Sequence, residues 1–120
     1  MREPWGKDQS VAIVDDSIDF CHTFRKCLRK QGFEGKFRCF PTGRSFFASK
    51  FDFDMVVCDL DLPVMNGFEV RKKLSEVKPN MPFVYCSANA DMLDHVYSDM
   101  KIIKPFNITE VMEIVKKCLN

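Results

Sequence analysis

Asp15, Asp16, Asp59, Asp61, Ser87 and Lys104 are far apart in the chain, yet they share a setting. Each stands at or just past the end of a short apolar run. "VAIV" leads into Asp15-Asp16, "MVVC" into Asp59 and Asp61, "FVYC" into Ser87, and "KII" into Lys104. If those runs are strands of one parallel sheet, these side chains meet at its carboxyl edge, where such sheets bind ligands. Three converging carboxylates repel one another unless a cation lies among them. Oxygen ligands alone select a hard divalent ion, Mg²⁺ foremost, with Mn²⁺ as an alternative. A lysine and a hydroxyl beside that ion suit phosphoryl oxygens, through charge and hydrogen bonding.

Each residue taken singly has a plainer explanation. Asp16 could cap the first helix, in competition with Ser17. Asp59 could be a strand-end turn residue, Ser87 could be incidental, and Lys104 before Pro105 could be a solvated loop lysine. Only their coincidence at successive strand ends argues for a joint site. His22 and His95 read as surface helix residues, and Phe46 and Phe47 as core.

The elements that must gather these residues follow from periodicity. Val11–Val14 is the first strand. Ile18, Cys21, Phe24 and Leu28 recur at helical spacing, and Gly32 ends that helix. Lys36–Phe40 alternates as a less buried strand, and a short helix holding Phe46 and Phe47 follows Pro41. Met55–Cys58 is the third strand. Gly67 opens a helix with Val70, Leu74 and Val77 inward, ending near Lys78-Pro79. Phe83–Cys86 is the fourth strand, followed by a short, weakly patterned helix over Asp91–Ser98. Lys101–Ile103 is the fifth strand. Asn107 caps a last helix, with Glu110 three residues on in a capping-box pattern and Ile108, Val111, Met112, Val115 and Leu119 inward. Strict alternation of strand and helix implies an α/β fold with a parallel sheet and helices on both faces.

Composition narrows the class. A chain of 120 residues suits one domain, residues 1–120, with residues 1–9 as a flexible N-terminal lead. The net charge of +1 gives no general attraction to nucleic acid or anionic lipid. No apolar run approaches a membrane span, which predicts no membrane insertion. The six cysteines show no CxxC pair, and Cys58 and Cys86 sit inside apolar runs, so reduced thiols in a cytoplasmic protein are expected.

From end to end, the chain resembles a response regulator receiver domain. "VAIVDDS", "VVCDLDLPVMNG", "VYCSA" and "IIKPF" match that family's acidic pair, aspartate with proline four residues on, Ser/Thr and Lys-Pro. The resemblance implies a single doubly wound (βα)5 domain with strand order 2-1-3-4-5. It implies that Asp59 is the phosphoacceptor, attacking a phosphohistidine on a histidine kinase or histidine phosphotransferase. Asp16 and Asp59 would bind Mg²⁺ directly, Asp15 directly or through water, and Asp61 through its main-chain carbonyl, its side chain facing the site mouth. Lys104 would pair with the acceptor carboxylate, and the Ser87 hydroxyl would turn in to the phosphate. Pro63, Gly67 and Pro105 would shape the loops, and Asp61 and Asn89 would flank the route of hydrolytic water. The chain would then be a signalling switch rather than an enzyme, without direct nucleic-acid contact.

Two alternatives stand beside it. Asp59-x-Asp61 also resembles the DxD of haloacid dehalogenase-like phosphatases, although their acidic pair comes late and this one comes first. A pseudo-receiver, a binding module that is never phosphorylated, would usually lack the acidic pair, acceptor or lysine. The chain also departs from the receiver pattern. Lys101 stands where that family usually has a switching aromatic, and its charged tip is expected to prefer water. The stretch from Ser87 to Lys104 is short, which predicts a truncated fourth helix.

Overall fold

The computed structural model describes residues 3–50, 52–97 and 100–120. Five strands, β1 (Ser10–Val14), β2 (Lys36–Phe40), β3 (Met55–Asp59), β4 (Phe83–Ser87) and β5 (Lys101–Ile103), form one parallel sheet of order β2-β1-β3-β4-β5. The helices are α1 (Ile18–Lys30), α2 (Gly43–Phe47), α3 (Gly67–Ser75) and α4 (Ile108–Leu119). This is the doubly wound arrangement that the alternation predicts.

The two-residue period of a strand sends neighbouring side chains to opposite faces. Val11, Ile13, Met55, Val57, Val84 and Cys86 therefore join Phe24 and Leu28 of α1 and Val111, Ile114, Val115 and Leu119 of α4 in one core. Ala12, Val14, Val56, Cys58 and Phe83 join Phe46 of α2 and Val70 and Leu74 of α3 in the other. Burial on both faces explains why the central strands read as continuous apolar runs.

Local signals set the helix ends. Ser17 caps α1 by accepting from Phe20 N–H at 3.1 Å, and Gly32 takes a positive φ of 92° beyond its end. Asn66 caps α3 in a capping box with Glu69, which turns the Asn66-Gly67 pair into a helix start rather than a tight hairpin turn. Asn107 caps α4 by accepting from both Thr109 and Glu110 N–H.

Several expectations are corrected. Ile18 and Val77 are exposed rather than inward. Ile18 is the first residue of α1, while Val77 lies past the end of α3 at Ser75. The short helix expected over 91–98 is a 3-10 turn, Ala90–Leu93, among the described residues; Ser98 lies outside them. His95 is exposed as expected but lies past that turn, its ring 5.6 Å from Phe68.

The lead is packed from Trp5 onward. The Trp5 ring lies 4.9 Å from Phe33, its indole N–H donates to Gln31 C=O at 2.9 Å, and its backbone bonds Gly32 and Glu34. A half-buried indole with a satisfied N–H has the contacts to hold the strap, which no helical or strand period announces. Trp5→Ala is expected to destabilise the fold by about 2 kcal/mol, below the ~3–5 of a fully buried aromatic. Urea unfolding measures it, and an unchanged midpoint would show that the strap contributes nothing.

Val64 is the other local finding. It is fully exposed, with φ of 68°, and Met65 N–H donates to Pro63 C=O at 2.7 Å around it. That is a γ-turn of the strained hand, centred on a β-branched residue. Such strain costs about 1–3 kcal/mol, while glycine forfeits about 0.5–1 kcal/mol in chain entropy. Val64→Gly is therefore expected to raise stability by about 1 kcal/mol. A lower melting temperature would show that Val64 gains more from contacts than its backbone loses.

Candidate phosphoryl and metal site

The carboxyl ends of β1, β3, β4 and β5 bring Asp15, Asp16, Asp59, Ser87 and Lys104 together. The strands in the middle of the sheet make this unavoidable. Asp15 N–H still bonds Phe40 C=O of β2, Leu60 N–H bonds Cys86 C=O, and Lys104 N–H bonds Ser87 C=O, so each strand end is fixed by its neighbour. Oxygens of Asp15, Asp16 and Asp59 lie within 4.8 Å of one another, and among the described residues no other group of three such ligands occurs. Asp15 and Asp59 are buried and Asp16 is exposed, so the cluster is a pit with one wall open to solvent.

The competition for the α1 cap is decided by geometry. Ser17 takes the cap, which leaves the Asp16 carboxylate free to face the cluster. Asp15 is engaged on both oxygens: Oδ1 accepts from Ser17 N–H and Oδ2 pairs with Lys104 Nζ, each at 2.8 Å. Lys104 reaches Asp59 Oδ1 only at 3.5 Å. The lysine expected on the acceptor carboxylate thus leans toward Asp15 here. Burial alone would lower the pKa of Lys104, but the hydrogen bond and charge of Asp15, with Cys86 and Asp59, outweigh it and the net direction is upward. Lys104 stays charged.

Asp59 is pushed above the ordinary carboxylate value. Burial is the main cause and the charge of Asp15 the next; Lys104 and a backbone N–H from Asp61 oppose them. A carboxylate made uncomfortable by burial and by a like charge is one that a cation would relieve. With an all-oxygen donor set, the three aspartates fit a hard divalent ion.

Around the pit, Gly67 allows a close approach: a Cβ there would meet Asp59 C=O and Leu60 Cα at 2.9 Å. Its N–H bonds Leu60 C=O, which pins the loop carrying Asp61 and Pro63 back onto β3. Asp61 is exposed, as expected, but its side chain is not idle, since the Ser87 hydroxyl points at it from 3.4 Å. Asn89 is also exposed, and its side chain accepts from Asp91 N–H at 3.2 Å. Pro105 is exposed and follows Lys104 through a cis peptide. One contributor has no sequence signal: the Phe20 ring lies 4.5 Å from Lys104 Nζ, a cation–π contact on the lysine's far side. Nothing in the periodicity of α1 separates Phe20 from an ordinary core residue. Cys58 and Cys86 are buried with their thiols pushed up by burial, and none of the six cysteines is in a disulfide.

The model of the response regulator receiver domain family matches residues 11–116. The chain is a response regulator receiver domain. The receiver is 28% identical over 114 residues to the chemotaxis protein CheY of Thermotoga maritima, covering 89% of this chain and 94% of that one. It is 27% identical over 118 residues to the transcriptional regulatory protein PcoR of Escherichia coli, covering 92% of this chain but only 51% of PcoR. The receiver thus spans about half the length of several curated relatives it matches. Among solved structures, the response regulator TrrA of Thermotoga maritima, in complex with Mg²⁺-BeF, superposes with a TM-score of 0.79 at 22% identity, covering 92% of this chain and 99% of that one. CheY4 of Vibrio cholerae superposes with a TM-score of 0.72 at 25% identity, covering 93% and 99%. The family is one of signalling switches, and neither the phosphatase nor the pseudo-receiver alternative gains support. Among the described residues, no helix is long and apolar enough to cross a membrane.

Proposed function

We propose that this receiver takes a phosphoryl group onto Asp59 from a phosphohistidine of a histidine kinase or histidine phosphotransferase. The observation that carries the reading is the pit itself: a buried carboxylate with raised pKa, two further carboxylates and a paired lysine at one sheet edge. Asp59 supplies the attacking oxygen. A P–O bond forms to its carboxylate as the P–N bond breaks, and the electron pair returns to the donor imidazole. Asp16 and Asp59, with Asp15 and the Asp61 main-chain carbonyl, would hold Mg²⁺, which would neutralise the oxygens of the transferring group. The reaction asks the protein mainly for in-line positioning and charge neutralisation. Lys104 sits between Asp15 and Asp59 and can shift from Asp15 toward the phosphoryl oxygens arriving on Asp59. The Ser87 hydroxyl, now on Asp61, is the donor left to greet the product. Pro63, Gly67 and Pro105 keep the surrounding loops in place.

The test is intact mass after incubation with acetyl phosphate. One phosphoryl group is expected with Mg²⁺ and none in chelator. An unchanged mass with several donors would overturn the reading.

The lifetime of the phosphorylated state is set at the rim. Asp61 and Asn89 are small and exposed, which leaves water a route to Asp59. Spontaneous dephosphorylation is expected, slowed or accelerated by bulky residues such as Asp61→Arg or Asn89→Tyr. Decay of the phosphoprotein followed by mass decides it, and identical half-lives in all three proteins would remove the rim from the mechanism.

A further inference from the structure

The stretch 88–97 that follows β4 is fastened at two points by side chains. At its start, the buried Ser87 hydroxyl accepts Asn89 N–H at 3.0 Å and aims its own proton at Asp61 Oδ2 from 3.4 Å. The Asn89 side chain then accepts from Asp91 N–H and opens the 3-10 turn Ala90–Leu93. At its end, Lys101 reaches back from β5 and donates from Nζ to Leu93 C=O at 3.0 Å. That carbonyl also accepts Val96 N–H at 3.0 Å, so both its lone pairs are used. The Leu93 side chain is fully buried beneath the turn.

Lys101 is thus half-buried and spent on the backbone rather than extended into water. A four-residue turn has little packing of its own, and one charge-assisted hydrogen bond is a large share of what holds it.

We propose that Lys101 is a positioning residue that latches the Ala90–Leu93 turn and so keeps the Ser87 hydroxyl on Asp61, away from Asp59. The proposal rests on the phosphoacceptor reading above and deepens it. A phosphoryl group on Asp59 offers Ser87 a stronger, charged acceptor than the long contact to Asp61. Turning toward it breaks the Asp61 contact and moves the oxygen that accepts Asn89 N–H. The first half of the turn must then shift, while Lys101 holds the second half where it is. The latch therefore opposes the phosphorylated arrangement. By reciprocity, whatever weakens the latch strengthens binding of a phosphoryl group or its mimic.

The experiment compares wild type with Lys101→Met, which keeps the stem and loses the donor, and Lys101→Arg, which keeps a donor. Amide exchange over residues 88–97 is measured in metal-free protein, and affinity is measured for beryllofluoride with Mg²⁺. Lys101→Met is expected to exchange about tenfold faster over that segment, a local opening made easier. It is also expected to bind beryllofluoride about three- to tenfold more tightly, within the usual range of coupling between sites. Lys101→Arg is expected to stay near wild type in both. A Met variant with faster exchange and unchanged or weaker affinity would reduce Lys101 to a structural role and overturn the proposal. Unchanged exchange would overturn the latch directly, and so would an Arg variant that behaves like Met. Failure of wild type to bind beryllofluoride would instead strike the phosphoacceptor reading and, with it, the coupling to Asp59; the exchange arm would then judge the latch by itself.

Discussion

Asp59→Asn is expected to abolish the gain of a phosphoryl group from acetyl phosphate. The amide oxygen is a poor nucleophile, and no other carboxylate in the pit has the same position: Asp15 is tied on both oxygens and Asp16 lies at the open wall. Intact mass gives the result, and peptide mapping locates any residual label. Labelling that persists at wild-type level in the variant would move the acceptor elsewhere. The same substitution has a second consequence. In chelator, the Asp59 carboxyl titrates higher in the folded protein than the 3.8 of an ordinary aspartate. The folded state holds that proton more tightly than the unfolded chain does. This group's contribution therefore favours folding at low pH and is lost as pH rises through the raised folded value. Asp59→Asn does not titrate, so in chelator it is expected to be more stable than wild type at neutral pH, with the gap closing as pH falls toward the ordinary value. A gap that stayed constant with pH would show that its cause is not proton linkage.

Mg²⁺ is expected to raise the melting temperature of the wild-type protein. Metal that binds only the folded state adds about 2.7 kcal/mol when present at a hundred times its dissociation constant. On the proposed reading, the aspartates that repel one another without a cation would become its ligands, so a site costly in chelator would become favourable in Mg²⁺. Asp16→Asn is expected to remove most of that gain. It is also expected to leave the chelated protein at least as stable as wild type, because a repulsive charge is gone and Ser17, not Asp16, caps α1. Thermal melts with and without Mg²⁺ measure both halves. Equal Mg²⁺ gains in the two proteins would dismiss Asp16 as a ligand.

The sequence by itself determined the architecture and the membership of the pit. Period-two alternation and apolar runs fix strands, helical spacing fixes the long helices, and Gly67 and Asn107 mark helix starts, because those signals act within a few residues. The polar residues after four strands could be placed together because a parallel doubly wound sheet has one carboxyl edge. Tertiary structure decided what depends on partners distant in the chain. Whether Asp16 or Ser17 caps α1, and whether Lys104 leans to Asp15 or Asp59, are contests between groups a few ångströms apart that no spacing rule resolves. Trp5 is held by Phe33 and Gln31, and Phe20 meets Lys104 only in space. Lys101 shows the difference most plainly. Its charge predicts solvent, yet Leu93 C=O lies within its reach and offers an acceptor, and a lysine that satisfies a backbone carbonyl stays half-buried. Local sequence sets what each residue can do; the fold sets which of its options is within bonding distance.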